Sequence, residues 1–283
     1  MTTLAPARRA RRYRARHLVL IALTIAVLLF IAPLLVIALN AVKTPAEYAS
    51  AGPLALPKSI SLQGIVDFWN RVDFSRKLLN SLLVSSAVAV LGVLLAVLNA
   101  YALSMGRMRG RIWYLVFFLI ANLLPQEVLV YPLYYLSKAL HLYDSLFAII
   151  IIFTVIQGAF GTYLLTYVFD SFPRELLDAA EVDGAGRWRV LWRVVVPVSR
   201  PTLAVLLTFF FIWTWNEFFL PLVFLISSEN QTVPVALGVL QGQRMMDATT
   251  TSASALVGIL PAVIFFLIFQ RTLTRGIMAG AVK

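Results

Sequence analysis

The sequence predicts an all-α integral membrane protein with six transmembrane helices. Of its 283 residues, 60% are hydrophobic and 13% are charged, whereas about a quarter of the residues in a soluble domain are charged. Six apolar segments alternate with polar connections, and basic residues concentrate in every second connection. We therefore exclude a soluble domain. Residues 18–283 are predicted to form one transmembrane domain, preceded by a basic tail at residues 1–17.

The six apolar segments are the predicted spans. The first follows six arginines and is longer than the core of a signal peptide, which has about 7–15 residues. Most of the others exceed the roughly 20 residues that a membrane helix needs. Prolines within them, such as Pro125 and Pro132, predict kinks. Gly92, Ala96 and Ala100 predict that a neighbouring helix approaches closely. The spans are residues 18–39, 78–105, 112–136, 145–169, 202–226 and 253–269.

The distribution of basic residues predicts the orientation. Six arginines precede the first span, three follow the second, five follow the fourth, and three basic residues lie after the last. These groups alternate with connections that hold the remaining seven of the 24 basic residues. By the positive-inside rule, both termini and the connection at 171–200 are cytoplasmic. The net charge of +11 is therefore a signal of topology and does not indicate a nucleic-acid partner.

The connection at 171–200 is predicted to hold two short helices. Ser171 is the expected N-cap of the first, and Gly184 and Gly186 are expected to end it. The second is expected from Trp188 to Val196, with a break at Pro197 and Pro201. Acidic residues share one face of the first helix and apolar residues the other: Glu175, Asp178 and Glu181 against Leu176, Leu177 and Ala180.

The spacing within this connection resembles the EAA loop of ABC-importer permeases. That signature is Glu-Ala-Ala, three residues, Gly, nine residues and Ile-x-Leu-Pro. Here Asp178, Val194 and Val196 are conservative departures, and the spacing is kept throughout. The resemblance implies that the first helix is a coupling helix, which docks into a groove of an ATPase subunit. The implied coupling residues are Glu175, Leu176, Leu177, Asp178, Ala179, Ala180, Glu181, Asp183, Gly184, Ala185 and Pro197.

Two further stretches resemble carbohydrate permeases. The fifth span carries Trp215-Asn216, Phe218 and Pro221-Leu222, and the C-terminus is similar to the Gly-x-x-x-Gly-Ala-Val-Lys tail of the smaller permease of maltose-type importers. The resemblance implies a type I (MetI-like) permease in a bacterial cytoplasmic membrane, surrounded by lipid. It implies a sugar substrate, a homologous second permease, two ATPase subunits that bind ATP and Mg, and an extracellular binding protein that contacts residues 227–252. No cofactor is expected in this chain.

Two acidic residues lie within predicted spans, Glu127 and Glu217. An ionised acid at mid-bilayer costs at least ~2.5 kcal/mol, so each should face the bundle or water. Placement near the outer headgroups is the alternative. Together with Trp215 and Asn216, these acids are the candidate substrate pathway, although aromatic residues also anchor spans at the membrane interface.

Catalytic and metal-binding motifs are not seen in the sequence. Cysteine is absent, and His17 and His141 lie far apart without partners at metal-ligand spacing. We expect a non-catalytic subunit of an ATP-driven transporter. A permease for another solute remains an alternative, because the EAA loop does not report the substrate. A secondary transporter would need substrate and ion sites in its own helices, and a membrane enzyme would need a catalytic cluster.

Overall fold

The computed structural model describes residues 5–106, 108–242 and 247–281. Val282 and Lys283, which end the maltose-type tail, lie outside these residues. Regular structure in the described part of the chain is helical throughout. The helices are α1 (Ala5–Ala41), α2 (Pro45–Ala51), α3 (Gln63–Arg71), α4 (Phe74–Met105), α5 (Arg111–Leu123), α6 (Gln126–Ala139), α7 (Leu146–Asp170), α8 (Arg174–Val182), α9 (Arg187–Val190), α10 (Val196–Asn216), α11 (Phe219–Phe224), α12 (Val233–Gly242) and α13 (Ala248–Ala281).

The described helices account for the six predicted spans, one of them broken. Five are long and apolar enough to cross a membrane alone: His17–Ala41, Phe74–Met105, Leu146–Asp170, Arg187–Asn216 and Ala248–Gln270. The third span was predicted to be one kinked helix and is instead the pair α5 and α6, bent by 98°. Leu124 and Pro125 are both extended at the break, since a residue before proline avoids the helical region.

The break predicted at Pro197 and Pro201 is wrong. The helix that begins at Arg187 runs through both prolines to Asn216, so the second short helix of the connection is the first part of the fifth span. A π-helical turn at Leu191–Val195 lies just before Pro197, and Val196 N–H donates to Leu191 C=O. This wider turn accommodates a proline, which has no N–H and would clash with an ordinary helical turn.

The outer connections hold more helix than the sequence predicts. The stretch at 227–252 contains α12, and α13 begins at Ala248, ahead of the predicted start at residue 253. At the N-terminus, α1 begins at Ala5, so the basic tail continues into the first span without a break after residue 17. The fifth span ends at Asn216, and the short helix α11 follows after Glu217 and Phe218.

The described chain divides into two compact units. The first comprises residues up to 71 and residues 240–259. Its α1 span is exposed over most of its length, although Asn40 and Ala41 at its end are buried, and none of the span's most apolar window is buried. A fully buried lysine, Lys43, donates from Nζ to Asn40 Oδ1 at 2.9 Å and to the carbonyls of Gly52 and Pro53 at 3.1 and 3.3 Å. These three bonds satisfy the buried ammonium and fix the turn after α1 against the end of α2.

The second unit, residues 72–239 and 260–283, is built on the close packing of α4 against α7 and α10. Gly92, Ala96 and Ala100 are buried on α4, so the predicted small-residue stripe is confirmed. A Cβ on Gly161 of α7 would lie 2.7 Å from Ala96 Cβ and 3.0 Å from Phe210 Cζ. Polar links also cross the unit, such as Gln157 Nε2 to Thr214 Oγ1 at 2.8 Å.

Candidate functional site

The cytoplasmic connection places α8 between the ends of α7 and α9. Its C-terminus is closed by two backbone bonds, from Ala185 N–H to Ala180 C=O at 2.9 Å and from Gly184 N–H to Glu181 C=O at 3.0 Å. This pattern is a Schellman motif, in which the residue after the cap takes the left-handed conformation. Gly184 has φ of +70°, so the prediction that it ends the helix is confirmed.

The start of α8 differs from the prediction. Its first residue is Arg174, and its N-cap is Pro173, which has no capping side chain. Ser171 instead ends α7, and its hydroxyl donates to Val168 C=O at 2.8 Å. A serine hydroxyl can bond a carbonyl behind it as readily as an N–H ahead of it. The short apolar link that follows is anchored by buried Phe172.

The faces of α8 are divided differently from the sequence prediction. Ala180 is buried, and Leu177 and Ala185 pack against the same apolar core, which includes Val190 and Leu191. Leu176 is 42% exposed and so belongs to the outer face. The small side chain of Ala180 therefore lets α8 lie close to its own spans, whereas Ala179 is exposed. The predicted coupling residues that are exposed are Glu175, Leu176, Asp178, Ala179, Glu181, Asp183 and Gly184.

The outer face of α8 combines acidic charge with exposed apolar groups. Val182 is 88% exposed, and Trp188 at the start of α9 is 68% exposed. Exposed apolar side chains beside charges are typical of a protein-interaction surface. Pro197, by contrast, lies within the α9–α10 helix and is half-buried. It follows the π turn and is part of the fifth span.

Hydrogen bonds join the connection to the spans. Tyr101 on α4 donates from its hydroxyl to Arg187 C=O at 2.9 Å. Asp170 is the last residue of α7. Its carboxylate accepts from Nη1 and Nη2 of Arg111 at 3.1 and 2.6 Å and from Ser104 Oγ at 2.7 Å. The cytoplasmic ends of α4, α5 and α7 are thereby tied together.

A second candidate site lies where α10 breaks. Asn216 and Glu217 line a cavity of about 620 Å³, together with Phe160, Phe209, Ile212, Trp213 and Phe266. Irregular backbone at membrane depth is tolerated where it lines a cavity or is buried in protein. The predicted pathway residue Trp215 is only 3% exposed and stacks on Phe211 at 5.8 Å. It belongs to the core, and Trp213, two residues earlier, is the tryptophan that faces the cavity.

Glu217 lies close to the start of α6. The backbone N–H groups of Phe218 and Phe219, the side chain of Gln126 and the carboxylate of Glu127 are all near enough to act on its carboxylate. Gln126 and Glu127 are the first two residues of α6, and Glu127 is exposed. The sequence analysis grouped Glu127 and Glu217 only as acids within spans. Their proximity was not predicted, because it depends on the 98° bend between α5 and α6.

Hydrogen bonds to residues 227–233 hold the outer ends of the spans together. Ser227 donates from its N–H to Asp144 Oδ1 at 3.1 Å and from its hydroxyl to Asp144 Oδ2, and buried Lys77 donates to Ser228 Oγ. Burial works to raise the pKa of Asp144, but the hydrogen bonds from Ser227 and Asn230 outweigh it and hold the pKa below its usual value. Asp144 is therefore ionised at neutral pH. Asn80 Nδ2 also donates to the carbonyls of Glu229 and Gln231.

Residues 80–278 match the family described as "Binding-protein-dependent transport system inner membrane component". The chain belongs to this family. It is therefore a multi-pass component of the inner membrane, and the match runs from the second span through α8 to the C-terminal part of α13. The family assignment agrees with the EAA resemblance and identifies the chain as a transport component.

Known relatives extend over most of the chain. It is 34% identical over 228 residues to a putative ABC transporter permease protein of Streptomyces antibioticus, covering 81% of this chain and 100% of the relative. It is 31% identical to the sulfoquinovosyl glycerol transport system permease protein SmoH of Agrobacterium fabrum, covering 89% and 88%. A solved bacterial ABC transporter involved in the import of alginate matches with a TM-score of 0.78 at 23% identity, covering 96% of this chain and 99% of the other. The fold is that of a type I importer permease.

Proposed function

We propose that this chain is one of two permease subunits of an ATP-driven importer that moves an oligosaccharide into the cell. The observation that carries the proposal is the exposed, Schellman-capped helix α8, which is packed on the spans by one face and presents acids and apolar groups on the other. A helix built in this way suits docking to a separate energy-supplying subunit. The chain itself hydrolyses nothing, and ATP and Mg are bound by two partner ATPase subunits.

The carbohydrate substrate is supported by the relatives and by the cavity at the α10 break. The names of two proteins similar to this chain specify a sulfonated sugar glycoside and an acidic polysaccharide as their cargo. The cavity combines aromatic rings with an amide and a carboxylate. Such a lining suits a ligand that has apolar ring faces and many hydroxyl groups. A homologous second permease completes the passage, and an extracellular binding protein delivers the sugar.

The test is uptake by the assembled complex in vesicles. The chain is co-purified with its partner permease and ATPase, reconstituted with binding protein outside and ATP inside, and offered labelled neutral and acidic oligosaccharides. We expect uptake that requires ATP and binding protein. Uptake of amino acids but of no carbohydrate would overturn the assigned substrate class, and proton-driven uptake by the chain alone would overturn the ATP-driven mechanism.

Asn216→Ala is expected to lower sugar uptake while the complex still assembles. The loss of one or two hydrogen bonds predicts a decrease of roughly two- to tenfold in transport efficiency. Asn122→Ala is the matched control, because both amides donate to the carbonyl four residues earlier, at 2.7 and 2.8 Å, and only Asn216 lines the cavity at the α10 break. Equal uptake by the two variants would remove Asn216 from the pathway.

Reversing the charge at Asp178 is expected to weaken the binding of the ATPase to this chain. Asp178 is exposed on the outer face of α8, and a wrong-sign charge in an interface costs several kcal/mol, which predicts roughly tenfold or greater loss of co-purified ATPase. Asp67→Lys provides the control, because Asp67 is an exposed acid in α3, outside the connection at 171–200. If Asp178→Lys retains the ATPase as Asp67→Lys does, the coupling role of this face is wrong.

A further inference from the structure

Helix α6 carries an exposed row of polar and aromatic side chains. Glu127, Tyr131 and Tyr135 are spaced by four residues, so they lie on one face, and all three are exposed. The rings of Tyr131 and Tyr135 are 4.8 Å apart between centroids, and their hydroxyls are 3.4 Å apart. We call these three residues the α6 ladder. With a rise of about 1.5 Å per residue it extends over about 12 Å.

The opposite side of α6 is apolar. Leu129, Leu133, Leu136 and Leu140 line a cavity of about 360 Å³ against α7, with α5 at its other edge. Helix α6 is therefore amphipathic, although it belongs to a membrane-spanning pair. Tyrosines also occur on lipid-facing helices at the level of the headgroups, but a carboxylate in the same row does not suit hydrocarbon. The row as a whole indicates that the ladder side is in contact with water.

The carboxylate of Glu127 supports this orientation. An ionised acid facing hydrocarbon is costly, and such residues in spans almost always face the bundle interior or a water-filled cavity. Tyr131 lies on the same face one turn further along, so it shares that environment. Its 70% exposed ring is then presented to the water-filled side of the domain rather than to acyl chains.

The ladder is continuous with the second candidate site. It starts beside Gln126, which lies close to Glu217 at the α10 break, and α6 packs against α11, which follows that break. It ends near Lys138, whose ammonium lies 4.8 Å from the Tyr134 ring and 5.4 Å from the Tyr143 ring. The exposed polar groups of α6 therefore lead from its outer end toward the α10 break.

We propose that the α6 ladder is a binding track for an oligosaccharide moving toward the α10 break. This inference rests on the proposed function and adds the residues that hold the substrate on this chain. The tyrosine rings stack on the apolar faces of sugar rings, while their hydroxyls and the Glu127 carboxylate bond sugar hydroxyls. Because the ladder is about 12 Å long, it contacts more than one sugar unit, and longer oligosaccharides depend on it more strongly.

The first test measures contact with water and needs no knowledge of the sugar. The chain has no native cysteine, so Tyr131→Cys and Leu133→Cys each introduce a single thiol, on opposite faces of α6. In the reconstituted complex, a small water-soluble methanethiosulfonate should label Tyr131→Cys and spare Leu133→Cys. An unlabelled Tyr131→Cys would place the ladder out of contact with water, and equal labelling of both variants would show that the two faces of α6 do not differ in contact with water. Either result would overturn the track.

The second test measures transport over a range of oligosaccharide concentrations. Tyr131→Ala and Tyr135→Ala should raise the half-saturating concentration roughly three- to tenfold and affect longer oligosaccharides most, with Tyr→Phe variants in between. Tyr167→Ala on α7 is the control, since Tyr167 is 72% exposed and Tyr131 is 70% exposed. If the wild type imports an oligosaccharide and the ladder variants match Tyr167→Ala, the track is wrong and the proposed function stands. If the wild type imports no carbohydrate, the proposed function itself fails.

Discussion

Gly184→Val is expected to abolish sugar uptake while every span still inserts. Gly184 holds φ of +70° in the Schellman motif that closes α8, and a β-branched residue is strongly disfavoured there. The strain is expected to be about 1–3 kcal/mol. A Cβ at this position would meet nothing within 4 Å, so the cost lies in the backbone alone. Relief of that strain turns α8 away from its docking orientation, which disconnects the ATPase from the spans.

Two variants isolate the backbone effect. A Cβ on Gly186 would also meet nothing within 4 Å, but the φ of Gly186 is −65°, so Gly186→Val should transport normally. Gly184→Asn should retain most activity, because asparagine tolerates the left-handed region better than valine does. The measurements are ATP-dependent uptake and co-purification of the ATPase. Equal activity of Gly184→Val and Gly186→Val would show that the geometry of this turn is irrelevant to coupling.

Gly161→Val is expected to prevent stable packing of the second unit. The first added carbon would already lie 2.7 Å from Ala96 Cβ, which is fixed to the backbone of α4 and cannot rotate away. Overpacking of this kind costs typically about 1–3 kcal/mol, and the two further methyl groups of valine add to it. We expect little folded protein, and early thermal unfolding of what is recovered, as followed by the fluorescence of the six tryptophans.

A compensating pair tests whether the Ala96 contact is responsible. Gly161→Ala adds only the clashing carbon, and Ala96→Gly removes its partner. The double variant should therefore unfold at a higher temperature than Gly161→Ala alone. Ala96→Gly alone is the reference for the intrinsic loss when glycine replaces alanine in a helix. Failure of Ala96→Gly to restore any stability would locate the cost elsewhere.

Much of the architecture was predictable because a membrane restricts the choice of structures. Long apolar segments have to be helices, and the arginine distribution orients them. The position of Gly184 was also predictable, since a left-handed residue after a short helix is usually glycine. Each of these features depends on local sequence alone, which is why the spans and the end of α8 could be assigned before the fold was known.

The features that were missed depend on contacts between distant residues. Pro125 and Pro197 are both prolines near apolar segments, yet one ends a helix and the other lies within one. The π turn before Pro197 makes the difference, and no residue type encodes it. Similarly, Trp213 and Trp215 are two residues apart, and tertiary packing decides which one reaches the cavity: Trp215 stacks beside Phe211, which in turn stacks on Phe265 of α13. Ala179 and Ala180 are also adjacent alanines, yet the first is exposed and the second is buried.

The π turn at Leu191–Val195 also sets the rotational phase between the cytoplasmic and membrane parts of one helix. An α-helix advances about 100° per residue, so a turn that holds one extra residue offsets everything before it relative to everything after it. The direction in which Trp188 points is thus rotated by a fixed angle relative to the faces that α10 presents to α4 and α7. A single continuous helix can therefore expose Trp188 on its cytoplasmic part and still turn the apolar faces of α10 toward α4 and α7.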